Sequence, residues 1–336
     1  MALKIILAFV ISLGITLAFG KVYIPWLRKQ KAGQEIKQNG PVWQQYKAGT
    51  PTMGGVMFIL ALGITISLHG MITHNFLNLV IYIFALFYAA IGFLDDWEKI
   101  KNKRNLGIKG WTKFFLQALA AGAFIFLIRK YGLTDHELYV PFVNKSFYVP
   151  GWFFYPLLIL VIVGTVNSVN ITDGIDGLAT GTTIPVMLFF VALAFKYGKG
   201  YEAFGVFASA MLGGLFGFLW YNKNPAKVFM GDTGSLFLGA VVVALALIYD
   251  MPLVLVTLGI VYLIEVLSDI IQVAYFKITH GKRVFKMAPF HHHLEMGGWT
   301  GKKWNEKEIF FLFTGISLLF AIISFIGVSG SHGYLS

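Results

Sequence analysis

Ten runs of mostly apolar residues, each about 20 long and so long enough to cross a hydrocarbon core, constrain this chain more than any other feature. They centre near Val10, Ile59, Phe84, Ala121, Leu160, Phe190, Met211, Val242, Val261 and Leu318. At 336 residues, 57% hydrophobic and 13% charged, the chain holds more apolar surface than a soluble core of its length hides. The expected fold class is an all-α polytopic membrane protein, a single integral membrane domain over residues 1–336. The eighth and ninth spans are the least clearly separated, with only Tyr249-Asp250-Met251-Pro252 between them.

Charge sets the orientation. Loops 21–50, 97–113, 222–233 and 277–307 carry 6, 6, 2 and 7 Lys or Arg, which is 21 of 27. The other six, Lys4, Arg129, Lys130, Lys145, Lys196 and Lys199, are scattered over the opposite ends. Cytoplasmic loops are the basic ones, so odd-numbered spans are expected to end in the cytoplasm and both termini to lie outside. The first span follows a single Lys and no small-residue cleavage site succeeds it, so it reads as an uncleaved helix, not a signal peptide. Segments 138–143 and 146–149 around Asn144-Lys145 predict a short outward-facing β-hairpin between the fourth and fifth helices. The absence of cysteine excludes disulfides, thiolate metal sites and cysteine nucleophiles. The net charge of +11 sits in juxtamembrane loops, where anionic lipid headgroups and phosphate substrates, not nucleic acid, are the nearer partners.

The same parity sorts the chemistry. Asp95-Asp96, Asp173 with Asp176, Asp232, and His291-His292-His293 each follow an odd-numbered span. Carboxylates are costly beside hydrocarbon, so several gathered at one end point to a site for a cation and an anionic substrate. Adjacent carboxylates repel unless a cation or a proton intervenes, which makes Asp95-Asp96 a metal or proton-transfer pair, or else a solvated helix end. In segment 170–177, Asn170, Asp173 and Asp176 share a face if it is helical; if its glycines open it, free N–H groups meet phosphate or a nucleobase edge, and a plain turn is the simpler alternative. Asn222 precedes a run in which Phe229 offers a ring for base stacking, Asp232 suits magnesium, and Gly231 and Gly234 admit a ligand. Asp232-Thr233-Gly234-Ser235 reads equally as a helix cap.

Three consecutive imidazoles point in different directions, so His291, His292 and His293 suit hydrogen bonds to phosphate or carboxylate better than they suit one metal ion. Glu265, Asp269 and Gln272 lie within the ninth span, where they support the site or a lipid groove, or form a buried network holding a broken helix. Lys47, ahead of Thr50-Pro51-Thr52-Met53-Gly54-Gly55, offers an ammonium to phosphate or merely follows the basic bias of its loop.

Together, Lys47 with Pro51-Thr52-Met53-Gly54-Gly55, Asp95-Asp96, residues 170–177, residues 229–235 and residues 289–295 resemble the phospho-N-acetylmuramoyl-pentapeptide transferases. These form a branch of the polyprenyl-phosphate N-acetylhexosamine-1-phosphate transferase family. The likeness runs in order along nearly the whole chain, and the His-His-His segment marks the muramoyl-pentapeptide branch. It implies ten spans, a homodimer, and a magnesium-dependent transfer of phospho-MurNAc-pentapeptide from its UDP carrier to undecaprenyl phosphate, yielding lipid I and UMP. The expected location is the cytoplasmic face of the bacterial plasma membrane, on loops 21–50, 95–113, 169–180, 222–233 and 277–307. Carried over by position, Asp232 resembles the magnesium ligand; Asp95, Asp96 and His291 resemble catalytic residues alongside it. Asn170, Asp173, Asp176, Asn222 and Phe229 resemble the nucleotide site, with Lys47, Lys99, Lys113, Gln272, His292 and His293 as further substrate-binding residues.

Three alternatives compete, of which a lipid phosphatase needs a water nucleophile and gives no role to a nucleotide-like pocket. A sister transferase using UDP-N-acetylglucosamine shares the aspartates but not the histidine segment. An ion-coupled transporter accounts for Glu265 and Asp269, yet it predicts midplane charges and inverted repeats, and no repeat is visible.

Overall fold

A chain in hydrocarbon has no water to satisfy its backbone N–H and C=O groups, so each apolar run closes its hydrogen bonds internally as a helix. The computed structural model describes residues 1–30, 47, 49–102, 107–132, 134 and 136–330; parts of the expected loops 21–50 and 95–113, with Lys31, Lys37, Lys103 and Arg104, lie outside them. The helices are α1 (Ala2–Lys29), α2 (Val56–Thr73), α3 (Asn78–Lys101), α4 (Gly110–Lys130), α5 (Gly151–Thr172), α6 (Leu178–Tyr197), α7 (Glu202–Asn222) and α8 (Gly231–Ile248). They are followed by the short α9 (Leu255–Leu258), α10 (Ile260–Ile278), the six-residue α11 (Phe290–Glu295) and α12 (Glu306–Gly327).

Among the described residues nine helices are long and apolar enough to span a membrane, and Pro252–Leu258 with Ile260–Ile278, bent by 83°, passes the same test only when the pair is taken together. Nine of the ten expected spans are single helices, and the expected ninth falls on this bent pair. The bend is the departure: the sequence marks a break at Tyr249-Asp250-Met251-Pro252, whereas the chain breaks again at Gly259, so Val261 opens α10 instead of centring a straight span. Apolarity continues unbroken across Gly259, and a hydropathy pattern therefore has nothing to register there. The expected hairpin is present but shorter, with β1 (Glu137–Val140) antiparallel to β2 (Lys145–Tyr148) and Val140 opposite Lys145. Phe142 N donates to Gly327 O (2.7 Å), which docks the hairpin on the end of α12. The site residues lie about 30 Å away, at the other ends of α5 and α12, since each residue of helix rises 1.5 Å.

Helices α6, α7 and α8 are buried nearly throughout, while α1, α4 and α12 bury one stripe and turn residues such as Leu3, Phe115 and Phe311 outward. Small residues let backbones approach where no water drives the helices together. At Gly213 on α7 an added Cβ would lie 2.2 Å from Phe9 O on α1, and at Gly217 it would lie 2.8 Å from Thr16 Cβ. Gly213→Val is expected to destabilise the protein by about 1–3 kcal/mol through overpacking, read as a lowered melting temperature in detergent.

Candidate active site

Helix α8 starts hard against α3. A Cβ on Gly92 would lie 2.1 Å from Asp232 O, so only glycine permits that approach. Gly231, at φ 71°, turns the chain into the helix. The first N–H groups of a helix lack intrahelical partners, and here the buried Asp96 carboxylate accepts them from the neighbouring helix. Its Oδ1 accepts from Asp232 N (3.1 Å), and its Oδ2 from Thr233 N (2.9 Å) and Thr233 Oγ1 (2.7 Å). Asp96 therefore holds the segment that presents Asp232.

The Asp232 side chain is a meeting point for three helices. Asn170 Nδ2, at the end of α5, donates to its Oδ1 (3.0 Å) and to Ser235 Oγ (2.7 Å). Lys99 on α3 and Lys113 on α4 both donate to its Oδ2, at 3.1 and 2.7 Å. Lys99 also pairs with Asp95 Oδ2 (2.6 Å), and Asp95 Oδ1 accepts from Ile108 N (3.0 Å). Two carboxylates and two ammoniums thus alternate in a cluster that is partly exposed only at Asp232 and the lysines. Asp173 follows at the end of α5, as its C-cap. Burial, then the charges of Asp232, Asp96 and Asp176, push its carboxyl well above the usual carboxylate range, against the opposing pull of Lys47.

A second cluster joins the first through the 170–177 loop. Lys47 Nζ lies 2.8 Å from Asp176 Oδ1 and 2.7 Å from Glu306 Oε1 at the start of α12. Asp176 Oδ2 accepts from Asn224 Nδ2 (3.0 Å) and Ala226 N (2.9 Å), and Glu306 Oε2 from Asp176 N (3.2 Å). Burial would lower the Lys47 pKa, but Glu306 and Asp176 outweigh it and raise it. Phe229 presents a half-buried ring 6.0 Å from that ammonium, and its backbone is stitched to the segment after Lys47 by Phe229 N to Pro51 O and Gly54 N to Phe229 O, both 2.8 Å. Asn222 accepts from Thr180 and donates to Val228 O (3.0 Å), so its side chain holds this loop.

The three histidines, on consecutive positions of α11, do three different things. His291 is fully buried, its Nδ1 3.0 Å from Glu265 Oε2 on α10 and its Nε2 against Gly174. Burial alone would lower its pKa, but Glu265, with Glu295 and Asp269 behind it, leaves it raised. His292 pairs with Glu295 at 2.6 Å. His293 turns into its own loop, its Nδ1 accepting from Lys286 N (3.1 Å) and its ring packing on Trp299. Gln272 likewise braces that loop, accepting from Val284 N and Phe285 N at 3.2 and 2.9 Å.

The structure therefore gathers Asp95, Asp96, Lys99, Lys113, Asn170 and Asp232 at one centre, sets Lys47, Asp176, Asn222 and Phe229 beside it, and brings His291 against the loop between them. His293 and Gln272 face the supporting loop instead. Glu306 was not among the residues expected from sequence; its signal is the capping box of Asn305 and Glu308, which starts α12 at this same end. Among the described residues no three His or acidic side chains converge as a ready cage. Magnesium does not need one, since it takes one or two carboxylates and leaves its other positions to water and phosphate. The hard oxygens of Asp232 fit such a cation, as do the burial and the neighbouring carboxylates that raise the Asp173 pKa.

Comparison with known proteins identifies the family. The family model described as Glycosyl transferase family 4 matches residues 78–250, and the Phospho-N-acetylmuramoyl-pentapeptide-transferase signature 1 matches residues 47–59, the strip from Lys47 into α2. The chain is 42% identical to the phospho-N-acetylmuramoyl-pentapeptide-transferase of Caldanaerobacter subterraneus subsp. tengcongensis, over 97% of its own length and 99% of the relative's. It is 43% identical to that of Heliobacterium modesticaldum over 95% and 96%, and 41% identical to that of Clostridium novyi over 99% and 98%. The chain belongs to the phospho-N-acetylmuramoyl-pentapeptide transferase family.

Proposed function

We propose that the protein transfers phospho-MurNAc-pentapeptide from UDP-MurNAc-pentapeptide to undecaprenyl phosphate, forming lipid I and releasing UMP, at the cytoplasmic face of a bacterial plasma membrane. The observation that carries the chemistry is the convergence of Asp95, Lys99, Lys113 and Asn170 on Asp232. Phosphoryl transfer is chiefly a matter of positioning and charge neutralisation. Lys99 and Lys113 stabilise the diphosphate and then the departing UMP, Phe229 and the 170–177 loop receive the nucleotide, and Asp232 would hold magnesium. When bound, magnesium neutralises charge on the diphosphate oxygens.

The acceptor needs little activation. A phosphate monoester has a second pKa near 6 and is largely a dianion at neutral pH. An oxygen of undecaprenyl phosphate attacks the sugar-bearing phosphorus, the bond to the bridging oxygen breaks, and UMP leaves with that oxygen. Asp95, both of whose oxygens are engaged, positions the lipid phosphate or takes a residual proton. A covalent sugar phosphate trapped on Asp95 after donor alone would replace this single displacement with two steps.

Both termini lie outside in this reading, and the protein works as a homodimer. The test is UMP release by purified protein in detergent with magnesium and undecaprenyl phosphate, offering UDP-MurNAc-pentapeptide and UDP-N-acetylglucosamine in parallel. Release from the pentapeptide donor alone is expected, while release from the simple sugar moves the protein to the sister branch. Chelation is expected to stop release and added magnesium to restore it.

A further inference from the structure

Glu265 lies in the first two turns of α10, past the bend at Gly259, and is wholly buried. Burying a carboxylate is costly unless it is paired, and its partner is the equally buried His291, Nδ1 to Oε2 at 3.0 Å. The other edge of that imidazole is unusual. His291 Nε2 is buried with no hydrogen-bond partner among the described residues, and so is Glu265 Oε1. Most buried polar atoms find partners, so an exception calls for a reason. Nε2 points at the backbone of Gly174, where a Cβ would come within 2.2 Å of it. Gly174 lies in the loop that carries Asp173 and Asp176.

Which ring nitrogen of a histidine is offered to a ligand depends on the hydrogen bond made by the other. We infer that Glu265 is a positioning residue for the transfer reaction: its carboxylate accepts from His291 Nδ1–H and favours the imidazolium, the form in which both ring nitrogens donate, so that Nε2–H is presented at the 170–177 loop to an anionic oxygen of the nucleotide substrate. This rests on the function proposed above. Glu265 follows the bend at Gly259, and its side chain meets His291 beside that loop. Charged neighbours on the supporting elements are Asp269 on α10 and Glu295 and His292 on α11, while the loop itself meets the ring with glycine.

A double-mutant cycle tests the inference. Glu265→Gln, nearly isosteric, is expected to lower UMP release about 10–100-fold, the scale known for losing the carboxylate behind a metal-bound histidine. The same change made in a His291→Asn background is expected to cost less than about twofold, because the two residues act as one unit. Glu265→Asp keeps the charge at shorter reach and is expected to retain more activity than Glu265→Gln. Melting temperature in detergent normalises each variant to folded protein. Equal losses in both backgrounds, or no loss from Glu265→Gln, would overturn the positioning role. If the unmodified protein releases UMP from neither donor, the transfer reading itself fails and takes this inference with it.

Discussion

Asp232→Asn is expected to cut UMP release by about a thousandfold while the protein still folds and melts as before, the scale seen when a preorganised charge partner is removed from a reacting centre. Asparagine keeps the shape of the side chain and an oxygen for Asn170, but Lys99 and Lys113 lose the carboxylate they share at 3.1 and 2.7 Å. Asp95 alone then faces both ammoniums. The cation's hard anionic ligand also disappears, so raising magnesium is expected to recover only part of the rate. Asp96→Asn provides the contrast. That carboxylate accepts three hydrogen bonds from Asp232 and Thr233, so its loss acts as removal of a helix cap and lowers stability by about 0.5–2 kcal/mol. Rate measured per folded molecule, beside melting temperature, separates the two. A loss below tenfold in Asp232→Asn would mean that the reacting charge is held elsewhere.

The two aspartates of the α3 terminus show what a sequence can and cannot carry. Their place at an odd-numbered span end was legible from the alternation of apolar runs and basic loops, and the structure does collect those ends at one centre. Their division of labour was not legible. It depends on α8 beginning within van der Waals reach of Gly92, a contact between residues 140 apart that no local pattern encodes. The histidine run gives the same lesson: divergent directions follow from helix geometry, yet only the fold decides that His291 meets Glu265 while His293 packs on Trp299. Glu306 carries only the signal of a helix start, the Asn305 and Glu308 capping box, and that signal gives no hint of its pairing with Lys47. Hydropathy located the ninth span but not its bend, since a change of direction alters no residue's polarity.

Lys47→Met is expected to destabilise the protein by about 3–5 kcal/mol, because breaking a buried ion pair from one side strands its charges. The Lys47, Asp176 and Glu306 side chains are 9%, 1% and 8% exposed, so water screens them little. With the ammonium gone, two carboxylates face one another across the space it filled. Asn224 and the backbone N–H groups of Ala226 and Asp176 still donate to their outer oxygens, but none of these carries a charge. The damage spreads beyond stability, because this junction ties the strip after Lys47, the 170–177 loop, the loop before Phe229 and the start of α12 together. UMP binding is therefore expected to weaken along with melting temperature. Adding Glu306→Gln to Lys47→Met removes one of the opposed charges while preserving an acceptor for Asp176 N, and is expected to restore much of the lost stability. A Lys47→Met protein that melts like the unmodified one would show that the ammonium is dispensable to the junction. Recovery of melting temperature without recovery of UMP binding would instead place Lys47 in direct contact with the nucleotide, apart from its part in holding the loops.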